Sequence, residues 1–326
     1  MQGLHVGRTG DGFSVSSTSP DSGWRLDAVL PLTATDAERA EILFRSLDAH
    51  FEPLATCHVV APDDDVAAVA VHVPRNGRYV VLPESEVIPE IGYFSTTARL
   101  RGRFRIVGPP IHGWFVQQLV KLAIWERIET PFYLTLDADV ICTRPTGYEE
   151  LVRGGRAIVQ TSPPNHPEWM DDAERVLGLP RSGRQFGVTP ALLARSAVEA
   201  LSRHLAGRVD PRARELAAWL RARRARQVAA SWRSFLLRHL PWTEYAVYHT
   251  FLEATGLFDR HHVVGGDDAI YAHSVWMESQ FDDWPVEDVF DPANGSCFTV
   301  VQSATRIPPE RVRAKVAPHL GAGTRL

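Results

Sequence analysis

Apolar residues fall into two recurring patterns along the first 140 positions. Short, almost unbroken apolar runs at 26–32, 56–61, 79–82 and 132–136 predict buried β-strands. After the first of them, Ile42, Leu43, Leu47 and Phe51 keep the spacing of one helix face, with Thr35 or Asp36 placed to cap it. A second helical stripe covers 113–129. Strand–helix–strand alternation of this kind implies a parallel sheet covered by helices, with ligands gathering beyond the strands' C-terminal ends. Pro31 and Thr33 end the first strand, Asp63 to Asp65 follow the second, and Asp137 and Asp139 follow the strand at 132–136. Pro31, Thr33 and Asp63 are therefore placed to meet a bound nucleotide.

Beyond position 150 the pattern changes. A strand is expected at 157–160, and 186–190 leads into a helix starting near Ala191, with Pro190 near its first turn. A late strand falls at 298–302, and the last helix starts near Pro308. Residues 1–22 are rich in Gly, Ser, Thr and Asp and read as a disordered tail. No internal repeat and no long linker divides the remainder, so 23–326 read as one α/β domain carrying a helical insertion at about 198–240.

The strongest chemical signal is Asp137-Ala138-Asp139 directly after an apolar strand. A nucleotide-sugar diphosphate needs a divalent cation to neutralise its oxygens and assist the leaving group, and a hard cation such as Mg²⁺ or Mn²⁺ prefers oxygen ligands. Two carboxylates separated by one small residue at a strand end supply them. The same pair also suits a solvated turn. On the helix at 113–129, Trp114, Gln118 and Lys121 share a face. Lys121 is one of two lysines, the other being Lys315, among 35 basic residues. A compact point charge retained in so arginine-rich a chain points to phosphate contact; a surface lysine on an amphipathic helix is the plainer alternative. Third, Thr243 can cap a helix whose first turn holds Glu244. That carboxylate is a candidate general base toward an acceptor hydroxyl, or a simple complement to the helix dipole. Trp242, Tyr245 and Tyr248 offer faces for sugar stacking, or core.

Taken together, W-x-x-Q-Q-x-x-K-L, Y-L-x-L-D-x-D-x-x-x-x-R-P, F-G-V-T-P, W-T-E-Y-x-x-Y and a late V-V-Q-S resemble the DUF6492 family of bacterial GT-A-like glycosyltransferases over about residues 24–320. The resemblance implies a GT-A fold, a nucleotide-sugar donor and a divalent metal. It does not fix the substrate, and GDP-mannose and UDP-glucose both remain open as donors, with a saccharide or metabolite as acceptor. It implies Gln118 and Lys121 facing the donor, Asp137 and Asp139 on the metal, and Glu244 at the reaction centre. A late histidine often completes such a metal shell. His261, His262, His273 and His249 are candidates, His262 first because Val263 and Val264 fix a strand beside it. Asp267 and Asp268, in a glycine-rich acidic loop, are alternative catalytic carboxylates or a plain turn.

Composition narrows the setting. A net charge of −4 gives no field for nucleic acid. Three scattered cysteines, Cys57, Cys142 and Cys297, form no paired motif and read as reduced thiols in a cytoplasm. No apolar stretch reaches the length of a membrane span. Residues 203–240 hold ten arginines against two acids, Asp210 and Glu215, a local charge of +8. That stretch reads as a helical lid over the acceptor cleft, or as a basic surface for membrane or an anionic acceptor. Two other functions fit parts of the sequence. A haloacid dehalogenase-like phosphatase also opens on such an Asp pair, but it needs a Lys or Arg near that pair, usually a lysine between its acidic motifs, and no lysine lies between 139 and 267. A carbohydrate-binding relic of the fold would not keep the intact pair and Lys121.

Overall fold

The structure is a computed structural model and describes residues 24–92, 113–163, 165–181, 183–210 and 231–320. The expected tail at 1–22 and residues 211–230 of the arginine-rich insertion lie outside the described residues. Counting helices of seven residues or more, the chain runs β1 (Leu26–Pro31), α1 (Ala37–His50), β2 (Leu54–Ala61), α2 (Val66–His72), β3 (Tyr79–Pro83), α3 (Gly113–Ala123), β4 (Phe132–Thr135), β5 (Val140–Cys142), β6 (Val152–Arg153) and β7 (Arg156–Val159). Then follow α4 (Pro167–Leu177), β8 (Ala191–Ala194), α5 (Arg195–Arg208), α6 (Trp232–Arg238), α7 (Glu244–Ala254), β9 (His262–Val264), β10 (Phe298–Val300) and α8 (Pro309–Val316).

The main sheet has the order β3-β2-β1-β4-β8, parallel through β4, with β8 antiparallel at the edge. Every residue of β1 and β4 is buried, which is why both read as continuous apolar runs rather than alternating ones. The chain steps outward from β1 to β2 and β3, then returns to the other side of β1 as β4. This reversal makes a topological switch point between β1 and β4, the place where open α/β sheets bind ligands. Pairing of the two strands continues one step past β4, where the Leu136 N–H donates to the Val29 carbonyl at 2.8 Å. Asp137 is the next residue, so it leaves the sheet at the switch point. Asp27 anchors the other end of β4, its Oδ2 accepting from the N–H groups of Glu129 and Thr130 at 2.8 and 3.1 Å.

Two expectations change. The helix expected over 113–129 ends at Ala123 and tightens into a 3₁₀ turn, Ile124–Arg127, before Asp27 draws the chain into β4. The helix expected near Ala191 is preceded by a strand: Ala191–Ala194 pairs with β4, and α5 begins only at Arg195. Ala and Leu favour helices intrinsically, but the free edge of β4 and a hydrogen bond from the Ala194 N–H to the Tyr248 hydroxyl (2.9 Å) override that preference. In the insertion, α5 and α6 are helical as expected, with 211–230 between them outside the described residues.

A two-stranded ribbon brings the C-terminal part of the chain to the switch point. β10 pairs antiparallel with β5, Val300 opposite Val140. Beneath the ribbon, Ile42, Ile141, Val275, Trp284, Val301 and Val312 form a second apolar cluster that holds α8 and α1 together. Among the described residues no helix is long and apolar enough to cross a membrane.

Candidate active site

A cavity of about 350 Å³ opens beyond β4, bounded by α3, α4, the N-terminal half of α7, the segment 184–189 and the end of β10. Lys121 is at its floor, only 2% exposed. α3 is amphipathic enough to bury Leu119, Val120 and Leu122, and that burial carries Gln118 and Lys121 under the cavity while Trp114, one turn earlier, stays 40% exposed at its edge. The Lys121 ammonium contacts both oxygens of Asp137 (2.9 and 3.1 Å), donates to Thr189 Oγ1 (2.7 Å) and bridges to Glu244 Oε1 (3.2 Å). Burial alone would lower the pKa of the ammonium, but the negative charges around it, Asp137 foremost, raise it well above the ordinary value. It is a cation.

Glu244 is also 2% exposed. It opens α7, where the Thr243 side chain caps the helix by accepting from the Ala246 N–H at 3.3 Å. The Glu244 N–H donates to Gln118 Oε1 at 3.2 Å, so α3 holds both the backbone and the side chain of this residue. Burial raises its carboxyl pKa above the ordinary value, and Lys121 opposes the rise. Tyr245 closes the network, its hydroxyl 2.7 Å from both Thr135 Oγ1 and Thr189 Oγ1.

Asp139 lies across the turn from Asp137. Its Oδ2 accepts from the Ser303 N–H at 2.8 Å, and its backbone carbonyl accepts from the Val301 N–H at 3.0 Å. Burial first, and the neighbouring Asp137 charge second, push its pKa up to about 6. Three carboxylates face the Lys121 ammonium, with the Arg39 guanidinium acting on Asp139 from outside the cavity, so negative charge is in excess in a place where charge is costly.

A family model described as a family of unknown function, DUF6492, matches residues 24–324. The chain belongs to that family. No curated protein matches it. Among solved structures, it is similar to galactosyltransferase LgtC in complex with donor and acceptor sugar analogs, at 12% identity and TM-score 0.43, covering 92% of this chain and 98% of that one. An active-site mutant of LgtC is similar at 13% identity and TM-score 0.44, covering 90% and 96%. Mouse xyloside xylosyltransferase 1 in its apo form is similar at 13% identity and TM-score 0.42, covering 87% and 99%.

In this DUF6492 chain the structure brings Trp114, Gln118, Lys121, Asp137, Asp139 and Glu244 together at one cavity. Other candidates sit elsewhere. Pro31, Thr33 and Asp63 lie at the C-terminal ends of β1 and β2, on the same sheet edge, but do not line the cavity. Thr33 donates to Asp36 at 3.0 Å, and Asp63 accepts from the Ser85 N–H at 3.0 Å. His262 is on a strand as expected, but wholly buried, with Nε2 2.7 Å from the Tyr248 hydroxyl and Nδ1 3.3 Å from the Ala157 carbonyl. Burial pushes its pKa down to about 3. It packs the core and does not face the Asp pair. Asp267 and Asp268 are exposed on a loop, Asp267 accepting from the Thr161 hydroxyl, and neither lines the cavity. Lys121, expected to meet phosphate, contacts Asp137, Thr189 and Glu244 at the cavity floor. Sequence reasoning misses Thr189 and the Ser303 N–H, although both lie in the quoted F-G-V-T-P and V-V-Q-S motifs.

Proposed function

We propose that the chain is a GT-A-type glycosyltransferase that moves a hexose from a nucleotide sugar to a hydroxyl of a saccharide or small-molecule acceptor, with Mg²⁺ or Mn²⁺. The observation that carries this reading is the Asp137–Lys121–Glu244 bridge, its lysine and glutamate buried, on the floor of a cavity at the switch point, with Asp139 beside it.

The donor set fits a hard cation. Both aspartates offer carboxylate oxygens to one cavity, where burial first and the Asp137 charge second raise the pKa of Asp139. Among the described residues no group of three His, Cys, Asp or Glu forms a metal cage. Asp137 and Asp139 would therefore hold the ion together with substrate phosphate and water, the manner in which Mg²⁺ is usually bound. When bound, the ion supplies charge neutralisation for the leaving diphosphate.

The chain's own residues do the rest. Lys121 keeps Asp137 and Glu244 in fixed relation. Glu244, its pKa raised by burial, accepts the proton of the acceptor hydroxyl. Gln118 and the Thr243 cap hold that carboxylate at the start of α7. The test is release of nucleoside diphosphate from a panel of nucleotide sugars, UDP-glucose and GDP-mannose included, with Mn²⁺ and mixed saccharide acceptors. Release from at least one donor, abolished by EDTA and lowered ~10²–10⁴-fold in Glu244→Gln, is expected. Hydrolysis of p-nitrophenyl phosphate without turnover of any nucleotide sugar contradicts the proposal.

A further inference from the structure

Two stretches of chain run side by side from the charged floor of the cavity to an end of different chemistry. Along α7, Glu244 is bonded to Lys121, and His249 follows five residues later, about 7.5 Å further along a helix axis. Along the segment before β8, Thr189 is bonded to Lys121, and three residues earlier Phe186 packs on His249 with ring centroids 4.3 Å apart. The third wall is α4, which packs against α7 and presents Trp169 with His166 stacked on it, centroids 4.0 Å apart and planes within 13°. Trp276, 39% exposed, lines the same cavity. One exposed tryptophan needs no explanation; aromatic rings gathered at one end of a cavity do.

The charges at this end are already matched. Arg184 lies over Phe186 and Phe258, 5.3 and 4.6 Å from the ring centroids, and pairs with Glu253. Lys121 is matched by Asp137 and Glu244. Among the described residues, then, each of these cavity-lining cations already has a carboxylate partner, which leaves an anionic ligand poorly served. His249 is different: it is 2% exposed, burial keeps it neutral, and its Nδ1 has no hydrogen-bond partner. A buried polar atom left without a partner in a cavity wall is unusual in native proteins.

We propose that this aromatic end is the acceptor subsite, and that it takes the uncharged pyranose end of a saccharide, with the C–H face of the ring against the Trp169–His166 pair and a hydroxyl read by His249. This rests on the glycosyltransferase reading and adds the acceptor class to it. A pyranose is matched to such a wall because it is apolar on its ring faces and polar around its rim. Its free hydroxyl then points along α7 toward Glu244.

The experiment uses the full chain and NMR saturation transfer with the methyl glycosides of glucose, mannose and galactose. A parallel titration follows UDP and GDP with Mn²⁺. At least one glycoside is expected to receive saturation at its ring C–H protons. Trp169→Ala should raise its Kd about tenfold, and Trp169→Phe, which keeps an aromatic face, no more than about threefold. Nucleotide affinity should not change in either variant, which also shows that both fold. Binding of a glucuronide or sugar phosphate with no binding of any neutral glycoside overturns the proposal. So does a glycoside Kd unchanged in Trp169→Ala. Loss of nucleotide binding in the unaltered protein instead overturns the donor-site reading, so the two failures are distinct.

Discussion

Lys121 has three N–H donors, and Asp137, Thr189 and Glu244 take them. Removing the ammonium leaves Glu244 charged in a buried place. Breaking one half of a buried pair typically costs ~3–5 kcal/mol, so Lys121→Met should lose about that much stability in urea at pH 7. The sign with pH follows from Glu244. Burial raises its folded pKa above the unfolded value, and loss of the ammonium raises it further. The folded state then binds the proton more readily than the unfolded chain. That contribution is complete below the unfolded carboxyl range and is lost as pH rises through the folded value. The Lys121→Met deficit should therefore shrink at pH 5; an equal deficit at both values contradicts the bridge. Asp139 gives a second titration. Its pKa of about 6 lies above the ordinary value of 3.8, so its charge opposes folding at pH 8 and not at pH 4. In metal-free protein, Asp139→Asn should melt above the wild type at pH 8, and the gap should close as pH falls to 4. A gap independent of pH would assign the effect to packing. At this scale the sequence is informative where function is local. The D-x-D, Gln118 with Lys121, and Thr243 with Glu244 each lie within a few residues of one another. His262 is not legible as a core residue, because its burial depends on Tyr248 and Ala157, and only the fold brings those together.

At the scale of elements, the cap of α7 connects stability to the site. Thr243 accepts from the Ala246 N–H and so starts the helix at Glu244. Thr243→Ala should cost ~1 kcal/mol in urea unfolding, with Thr243→Ser close to the wild type. Equal losses in both would mean that the methyl group, and not the hydroxyl, matters. The strands β1 to β4 are legible because burial on both faces writes them as apolar runs. β8 is not, because Ala-Leu-Leu-Ala is helical by preference and becomes a strand only beside β4. α4 escapes the apolar pattern, although Pro167 at its first turn and Gly178 in the left-handed region after its last mark its ends, as proline and glycine commonly do. With α4 go Trp169 and His166, which no motif announces.

The whole molecule assembles its site from distant parts of the chain. β1 and β4 make the switch point, α3 and α7 bring the Lys–Glu bridge beneath it, and β10 returns from the C-terminal region to put the Ser303 N–H on Asp139. The alternation of strand and helix tells where a ligand edge must be, but not which C-terminal segment closes it. Nothing in local pattern reports that Val300 pairs with Val140. On the proposed function, Asp137 and Asp139 present a cation to a nucleotide diphosphate in this cavity. Isothermal titration of UDP and of GDP, with Mn²⁺ and with EDTA, on the wild type and on Asp139→Ala, tests it most directly. At least one nucleotide is expected to bind only with metal, and the variant, with an unchanged circular dichroism spectrum, to lose that binding. Metal-independent binding, or the same metal-dependent affinity in Asp139→Ala, would contradict it.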